Sequence, residues 1–408
     1  MRLLLSSLIA CLVLHTSATA AETPTVAAAD RAAAVEGNNA FALDLYAQLR
    51  TQGGNLFFSP ESISTALAMA YAGARGDTAS QMAKTLHFTL PPDRLHPAMG
   101  ALLADLNATH QGYRLSVANA LWAQQGYPFL PGFLDLTQRN YGAGFNPVDF
   151  KGDPEAARLT INQWIERKTE DKIKDLLQRG ALTPRSTLVL TNAIYFKGDW
   201  TTPFDKVLTK DEDFHLTSSQ NVKAPLMHRT AGFSYLDGGT FQALEIPYKT
   251  RELSMIVLLP NDIGGLPALE QSLTAPAARQ WLSQLRPVPK VILTLPRFKM
   301  TQQFALQGAL SAMGMPLAFQ QRAADFSAIA GNRELFISAA IHKAFIDVNE
   351  EGTEAAAATA VIMVGAMAMT GPRPQPPVFR ADHPFLFLIR DNRSGAILFL
   401  GRVTNPTR

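Results

Sequence analysis

The chain has 408 residues, of which 47% are hydrophobic and 17% charged, and its net charge is +3. Apolar runs recur along nearly the whole length, which excludes a disordered chain. No stretch gathers Lys or Arg into a basic stripe, which argues against nucleic acid as a partner, and at this length one large unit and two domains are both allowed.

The first element reads as an export signal. Arg2 precedes a largely apolar run from Leu3 to Leu14, and Ala18-Thr19-Ala20 is a small-x-small cleavage site, so residues 1–20 are expected to form a signal peptide. The run is too short to span a bilayer as a helix, and no other segment looks membrane-spanning. Leu8-Ile9-Ala10 before Cys11 leaves lipoprotein anchoring as a minor alternative. Cys11 is the only cysteine, so a chain cut after Ala20 has no disulfide, no thiol nucleophile and no thiolate metal site. The expectation is a secreted or periplasmic protein.

Residues 21–37 read as a flexible Ala-rich segment, structureless to about Val35. Regular structure is expected from near Asn38, with Phe41, Leu45 and Leu49 at helical spacing. A second helix begins at Pro60 with Ser59 as its N-cap and runs through Ile63, Leu67 and Met69 to Gly73. Arg75-Gly76-Asp77 spells an adhesion tripeptide, but reads as a turn between helices with Asp77 as a cap. Another helix covers Asp93 to Asn107, and Leu115 to Gln124 reads as a strand. Asp153 to Leu177 reads as one long helix, with Ile161, Trp164, Ile165, Ile173 and Leu177 on a single face. Thr187 to Phe196 is apolar enough for the centre of a sheet. From Phe214 onward short strands dominate: Leu253–Leu259, Val291–Leu295, Phe336–Ile346, Phe385–Ile389 and Ala396–Leu400. Helices early and strands late indicate an α+β fold without internal repeats.

The informative segment runs from Glu350 to Met367. Its Ala run favours helix by propensity, yet it follows a strand-like stretch and leads into Thr370-Gly-Pro-Arg-Pro-Gln-Pro-Pro, which cannot be helix interior or central strand. It therefore reads as a loop ending in an extended linker. As a strand it would place Thr353, Ala355, Ala357, Thr359, Val361 and Met363 on one face, all small or apolar, with its one charge, Glu354, on the other. No proline interrupts Thr353 to Met367. The loop is thus compatible with entering a sheet.

Several ordered motifs resemble the serpin family: Asn55-Leu-Phe-Phe-Ser-Pro-Glu-Ser-Ile-Ser, Val117-Ala-Asn-Ala-Leu-Trp, Leu190-Thr-Asn-Ala-Ile-Tyr-Phe-Lys-Gly-Asp-Trp, His342-Lys-Ala-Phe-Ile-Asp-Val-Asn-Glu-Glu-Gly-Thr, Asp382-His-Pro-Phe-Leu-Phe and Gly395-Ala-Ile-Leu-Phe-Leu-Gly-Arg-Val. The resemblance covers roughly Asn38 to Pro406. It implies a single domain over 38–408, with three β-sheets, eight to nine helices and an exposed reactive-centre loop at about 352–377. It further implies a suicide-substrate inhibitor. A serine protease attacks the loop, and the cut loop enters the main sheet before the acyl-enzyme is hydrolysed. Fourteen residues added as a strand span roughly 46 Å at about 3.3 Å each.

Family spacing places the reactive bond at Ala366–Met367 after a hinge of Gly352, Thr353, Glu354, Ala355, Ala356, Ala357 and Ala358. A small residue at 366 suits elastase-like or subtilisin-like proteases. Matching motifs imply a polar shutter of Ser59, Ser62, Asn192 and His342. They also imply a breach of Trp200, Arg297 and Glu350 with a Glu350–Arg297 ion pair. A monomer is expected, and the few basic residues of 93–107 make heparin an unlikely partner. The alternative is a non-inhibitory serpin acting as carrier, chaperone or storage protein, whose hinges tend to carry bulky, charged or proline residues. An enzyme is disfavoured: no Gly-x-Ser-x-Gly, His-Glu-x-x-His or Gly-rich phosphate loop is present, and Ser338, His342 and Asp347 do not share a strand face. No cofactor or metal site is expected. Asn107 and Asn392 lie in glycosylation sequons that only a eukaryotic secretory host would use.

Overall fold

The structure, a computed structural model, describes residues 26–108, 110–142, 145–353 and 375–408. Ten α-helices lie among them: α1 (Ala28–Leu49), α2 (Pro60–Gly73), α3 (Gly76–Thr85), α4 (Pro92–Asn107), α5 (Pro131–Tyr141), α6 (Pro154–Lys168), α7 (Leu266–Ser272), α8 (Ala275–Gln284), α9 (Gln307–Met313) and the single turn α10 (Ser327–Ala330). The strands are β1 (Leu56–Phe58), β2 (Tyr113–Gln124), β3 (Phe145–Val148), β4 (Leu188–Asp199), β5 (Lys210–His215), β6 (Asn221–Asp237), β7 (Phe241–Pro247) and β8 (Leu253–Pro260). They continue with β9 (Arg286–Pro296), β10 (Phe298–Ala305), β11 (Ile337–Val348), β12 (Gly352–Thr353), β13 (Val378–Arg380), β14 (Phe385–Asp391) and β15 (Ile397–Val403).

Three expectations need correction. Helix α1 starts at Ala28, so the flexible segment 21–37 is helical from there on. Alanine is the best helix former, and burial of Ala34, Val35 and Asn38 anchors the early turns that composition alone suggested were loose. At its middle Gly37 allows close approach, since a Cβ there would lie 2.4 Å from the His87 carbonyl. Second, the expected 153–177 helix stops at Lys168. Glu170, Asp171 and Asp175 take positive φ, and Leu177 is clamped by Asn162, which accepts from its N–H at 2.8 Å and donates to its carbonyl at 2.9 Å. Ile173, Leu176 and Leu177 are still buried, but by a segment folded back rather than by a helical face. Third, Asp77 lies inside the first turn of α3; the N-cap position is Arg75, with no side-chain cap.

Two hydrogen-bonded sheets organise the chain. The six-stranded sheet has the order β10-β11-β12-β4-β2-β3, and the nine-stranded one β1-β15-β14-β8-β7-β6-β9-β13 with β5 on β6. The second is two sheets joined through β6. That strand pairs with β5 and β9 over most of its length and reaches β7 only at Ser234–Asp237. The three implied sheets are therefore present, two of them sharing one strand.

The larger core lies between the six-stranded sheet, β14, β15 and helices α1 and α2. Phe57 stacks there on Phe399 at 5.1 Å and on Phe387 at 5.8 Å. The opposite face of the six-stranded sheet carries a smaller core under α6 and the segment after it, including Val189, Ala193, Tyr195 and Phe345.

Candidate functional site

The centre of the six-stranded sheet holds a parallel pair. β11 runs beside β4 from Ile337 opposite Leu188 to Phe345 opposite Tyr195. Beyond that point β12 separates the two strands. Thr353 pairs antiparallel with Val348 of β11 and with Gly198 of β4, and Gly352 pairs with Asp199. The first two residues of the Ala-rich segment are therefore already a strand between two others. Thr353 is fully buried, and its hydroxyl lies 2.9 Å from that of Tyr248. Only glycine fits at 352, where a Cβ would stand 2.0 Å from the Gly198 carbonyl oxygen.

The turn leading into β12 is held by residues just after β4. Trp200 donates from its backbone to the Glu351 carbonyl at 2.9 Å and from its indole Nε1 to the Asn349 carbonyl at 3.0 Å. Its ring stacks on Tyr248 at 4.7 Å. The Phe204 N–H donates to the Glu350 carbonyl at 2.7 Å. The Glu350 carboxylate is buried; it accepts from the Thr209 hydroxyl at 2.8 Å and faces Arg297 Nε at 3.6 Å. Thr209 thus makes the direct hydrogen bond, and the half-exposed Arg297 supplies charge.

Lower in the same slot lies a closed polar network. His342, opposite Asn192 in register, has its Nε2 accepting from the Ser59 N–H at 3.2 Å and its Nδ1 against Asn192 Oδ1. One ring nitrogen accepts, so the other carries the proton and donates: a neutral imidazole. Burial supports this by pushing His342 down to about 3. Asn192 Nδ2 donates to Ser62 Oγ at 2.6 Å and to Asn119 Oδ1. Asn119 also accepts from the Ser62 hydroxyl at 3.0 Å and donates to the Ser62 carbonyl at 3.1 Å, and Ser59 Oγ caps α2 at the Ser62 N–H, 3.2 Å. Almost every polar group is satisfied within the network, so parting β4 from β11 at this level exposes several buried groups at once.

Ser338, His342 and Asp347 do not assemble. Ser338 accepts from the Thr187 N–H at 2.9 Å, His342 belongs to the network above, and Asp347 lies 3.5 Å from Lys299. On the far side of the Ala-rich segment, Pro377 accepts from the Ile292 N–H at 2.9 Å, and β13 then runs parallel to β9. The segment between thus starts in one sheet and ends on another.

The family profile described as "Serpin (serine protease inhibitor)" matches residues 36–406. The chain belongs to the serpin family. It is therefore a member of a family of inhibitors rather than of catalysts. This serpin is 43% identical over 378 residues to the human leukocyte elastase inhibitor, an alignment covering 90% of this chain and 98% of that protein. Among solved structures it is similar to a serpin of the insect Tenebrio molitor described as highly specific, with TM-score 0.80, 33% identity and coverage of 91% and 98%. It is also similar to uncleaved ovalbumin, with TM-score 0.82, 30% identity and coverage of 92% and 100%.

Of the residues named from sequence, Ser59, Ser62, Asn192 and His342 form one cluster, and Trp200, Arg297 and Glu350 gather around the turn into β12. Gly352 and Thr353 of the hinge are described, whereas Glu354 to Ala358 and the Ala366–Met367 bond lie outside the described residues, as do the signal peptide and Cys11. Sequence reasoning missed Asn119, Thr209 and Tyr248. Asn119 carried a signal: it is the polar residue at the middle of the otherwise apolar run Val117 to Trp122. Thr209 and Tyr248 carried none, because their roles arise only when distant segments meet.

Proposed function

We propose that this serpin inhibits serine proteases as a one-use bait, cut at Ala366–Met367, with the acyl-enzyme trapped as the freed loop continues β12 into the sheet. The observation that carries this reading is β12 itself, paired on both sides between β11 and β4. Its registers define the path. Six residues beyond Thr353, antiparallel pairing with β4 brings Thr359 opposite Asn192, and pairing with β11 brings it opposite His342, and these two already face each other. One extended strand therefore satisfies both neighbours without a bulge. Thr353, Ala355, Ala357, Thr359, Val361 and Met363 would then share the face of Leu190, Ile194 and Phe196, which belongs to the larger core.

Insertion also replaces the parallel β4–β11 ladder by two antiparallel ladders, a pairing slightly more stable per residue. About a dozen added hydrogen bonds, at roughly 1 kcal/mol net each, give on the order of 10 kcal/mol to drive the step. The polar network and the buried Glu350 oppose it until the loop is cut.

Elastase-like targets suit the small Ala366 side chain, and the name of the human relative supports the same class. We read residues 1–20 as a signal peptide directing export, and the inhibitor as a monomer acting without heparin. The test is to mix the purified protein with pancreatic elastase and analyse the products by denaturing gel and intact mass. A denaturant-stable covalent complex with a released fragment beginning at Met367 is expected. Cleavage at that bond with no complex would sink the trapping mechanism for this protease and favour the carrier or storage reading.

A further inference from the structure

A cavity of about 490 Å³ opens between α1, α2, α4 and the turn joining β14 to β15, remote in the chain from the β12 slot. Its lining includes a carboxylate that the proposed inhibition does not use. Glu61, in the first turn of α2, is only 2% exposed; its Oε1 accepts from the Thr65 hydroxyl at 3.0 Å, and its Oε2 has no partner among the described residues. Asn38 of α1, also 2% exposed, lines the same cavity. Its Nδ2 is fixed on the Ile397 carbonyl at 3.3 Å, which leaves Oδ1 as the free end, likewise without a donor. Two buried acceptors thus share one cavity with no donor to satisfy them, a costly arrangement for a folded chain.

The remaining walls narrow the chemistry. Val35, Leu102, Leu106 and Leu398 are apolar. At the mouth Arg31 is paired with Asp105 at 2.8 Å and Arg393 with Asp391 at 2.9 Å, so the rim charges cancel and Glu61 leaves the lining one negative charge in excess. An anion is disfavoured by that charge. A bare Mg²⁺ or Ca²⁺ needs about six or more oxygen ligands, which this wall lacks. A bridging water could serve both acceptors but fills only about 30 Å³.

We propose that this cavity binds a small amphipathic monoamine, whose ammonium donates to Glu61 Oε2 and Asn38 Oδ1 while its hydrocarbon lies against Val35, Leu102, Leu106 and Leu398. The cavity lies within the usual range for small-molecule sites, about 300–1,000 Å³. Burial lifts the Glu61 carboxyl to about 7, so amine binding and ionisation of Glu61 are coupled. The other charged groups facing the cavity, Arg31, Asp105, Asp391 and Arg393, are taken up in the two rim pairs.

The test is calorimetric titration of the full chain with hexylamine at about pH 8, compared with 1-hexanol, hexanoate and 1,6-hexanediamine. Saturable one-site binding of hexylamine is expected, with hexanol, the diamine and hexanoate each weaker. Glu61→Gln should weaken hexylamine by about tenfold or more. The wild-type affinity should fall as pH drops from about 8 to 6, while the ligand stays charged. Leu102→Trp, which fills the cavity and keeps the carboxylate, should abolish binding, and it carries the test if Glu61→Gln does not fold. Equal binding of hexanol, indifference to both substitutions, or no saturation by about 10 mM would each overturn the proposal.

Discussion

At the scale of single residues, two buried titratable groups oppose each other. His342 is held at about 3 against 6.5 when unfolded, so the unfolded chain binds a proton that the folded one refuses. Stability is intact above pH 6.5 and falls as pH drops toward 3, by about 1.4 kcal/mol per unit across that window. His342→Gln should lower stability at neutral pH, because the network loses its fit, yet flatten the acid limb of the denaturation midpoint plotted against pH. An unchanged acid slope would refute the assignment. Glu61 works with the opposite sign. Its carboxyl is raised from 4.5 to about 7, so the fold loses stability as pH climbs through that interval. Glu61→Gln should therefore raise stability by about 2–3 kcal/mol at pH 8 and leave it nearly unchanged at pH 4. A variant no more stable at pH 8 would mean that a donor already compensates the charge.

At the scale of elements, β12 concentrates the consequences. Thr353 is fully buried against Tyr248, so Thr353→Arg puts a charge where none can be solvated. The variant should still be cleaved by elastase at Ala366–Met367 but form little covalent complex, as a gel densitometry series would show; undiminished trapping would count against insertion. Gly352→Val meets the Gly198 carbonyl directly and should push β12 out of the sheet, with the same kinetic outcome.

These same elements show what the chain spells out locally. The interior strands β2, β4, β11 and β14 were legible because long runs of branched and aromatic residues have one place to go. The beginning of α2 was legible because Ser59 and Pro60 form a start signal. The start of α1 was not, since an Ala-rich stretch looks the same free or docked. The end of α6 was not, since Glu170, Asp171 and Asp175 turn the chain without glycine or proline, and Asn162 acts on a backbone fifteen residues away. Glu61 was invisible as a buried charge for a simpler reason. At the first turn of a helix an acid is the ordinary choice, and only the packing of α1 and α4 encloses it.

At the scale of the whole molecule, the intact protein keeps a parallel pair at the centre of its main sheet where an antiparallel alternative is available in the same chain. A non-target protease that nicks the loop should release that difference without trapping anything. The nicked protein should melt higher than the intact one by on the order of 20 °C in calorimetry, from roughly 10 kcal/mol of new pairing. Equal melting temperatures would show that no strand has been added. The two-residue start of β12 also bears on timing. Once the loop is cut, two clocks run: water reaching the acyl-enzyme, and the strand closing along its slot. A strand that begins at Thr353 needs no search for the sheet, because its first pairs on both sides are already made. Its delay is that of zipping alone, so the fraction of encounters ending in capture, and hence the number of inhibitor molecules consumed per protease, is governed by how firmly those first two residues are seated.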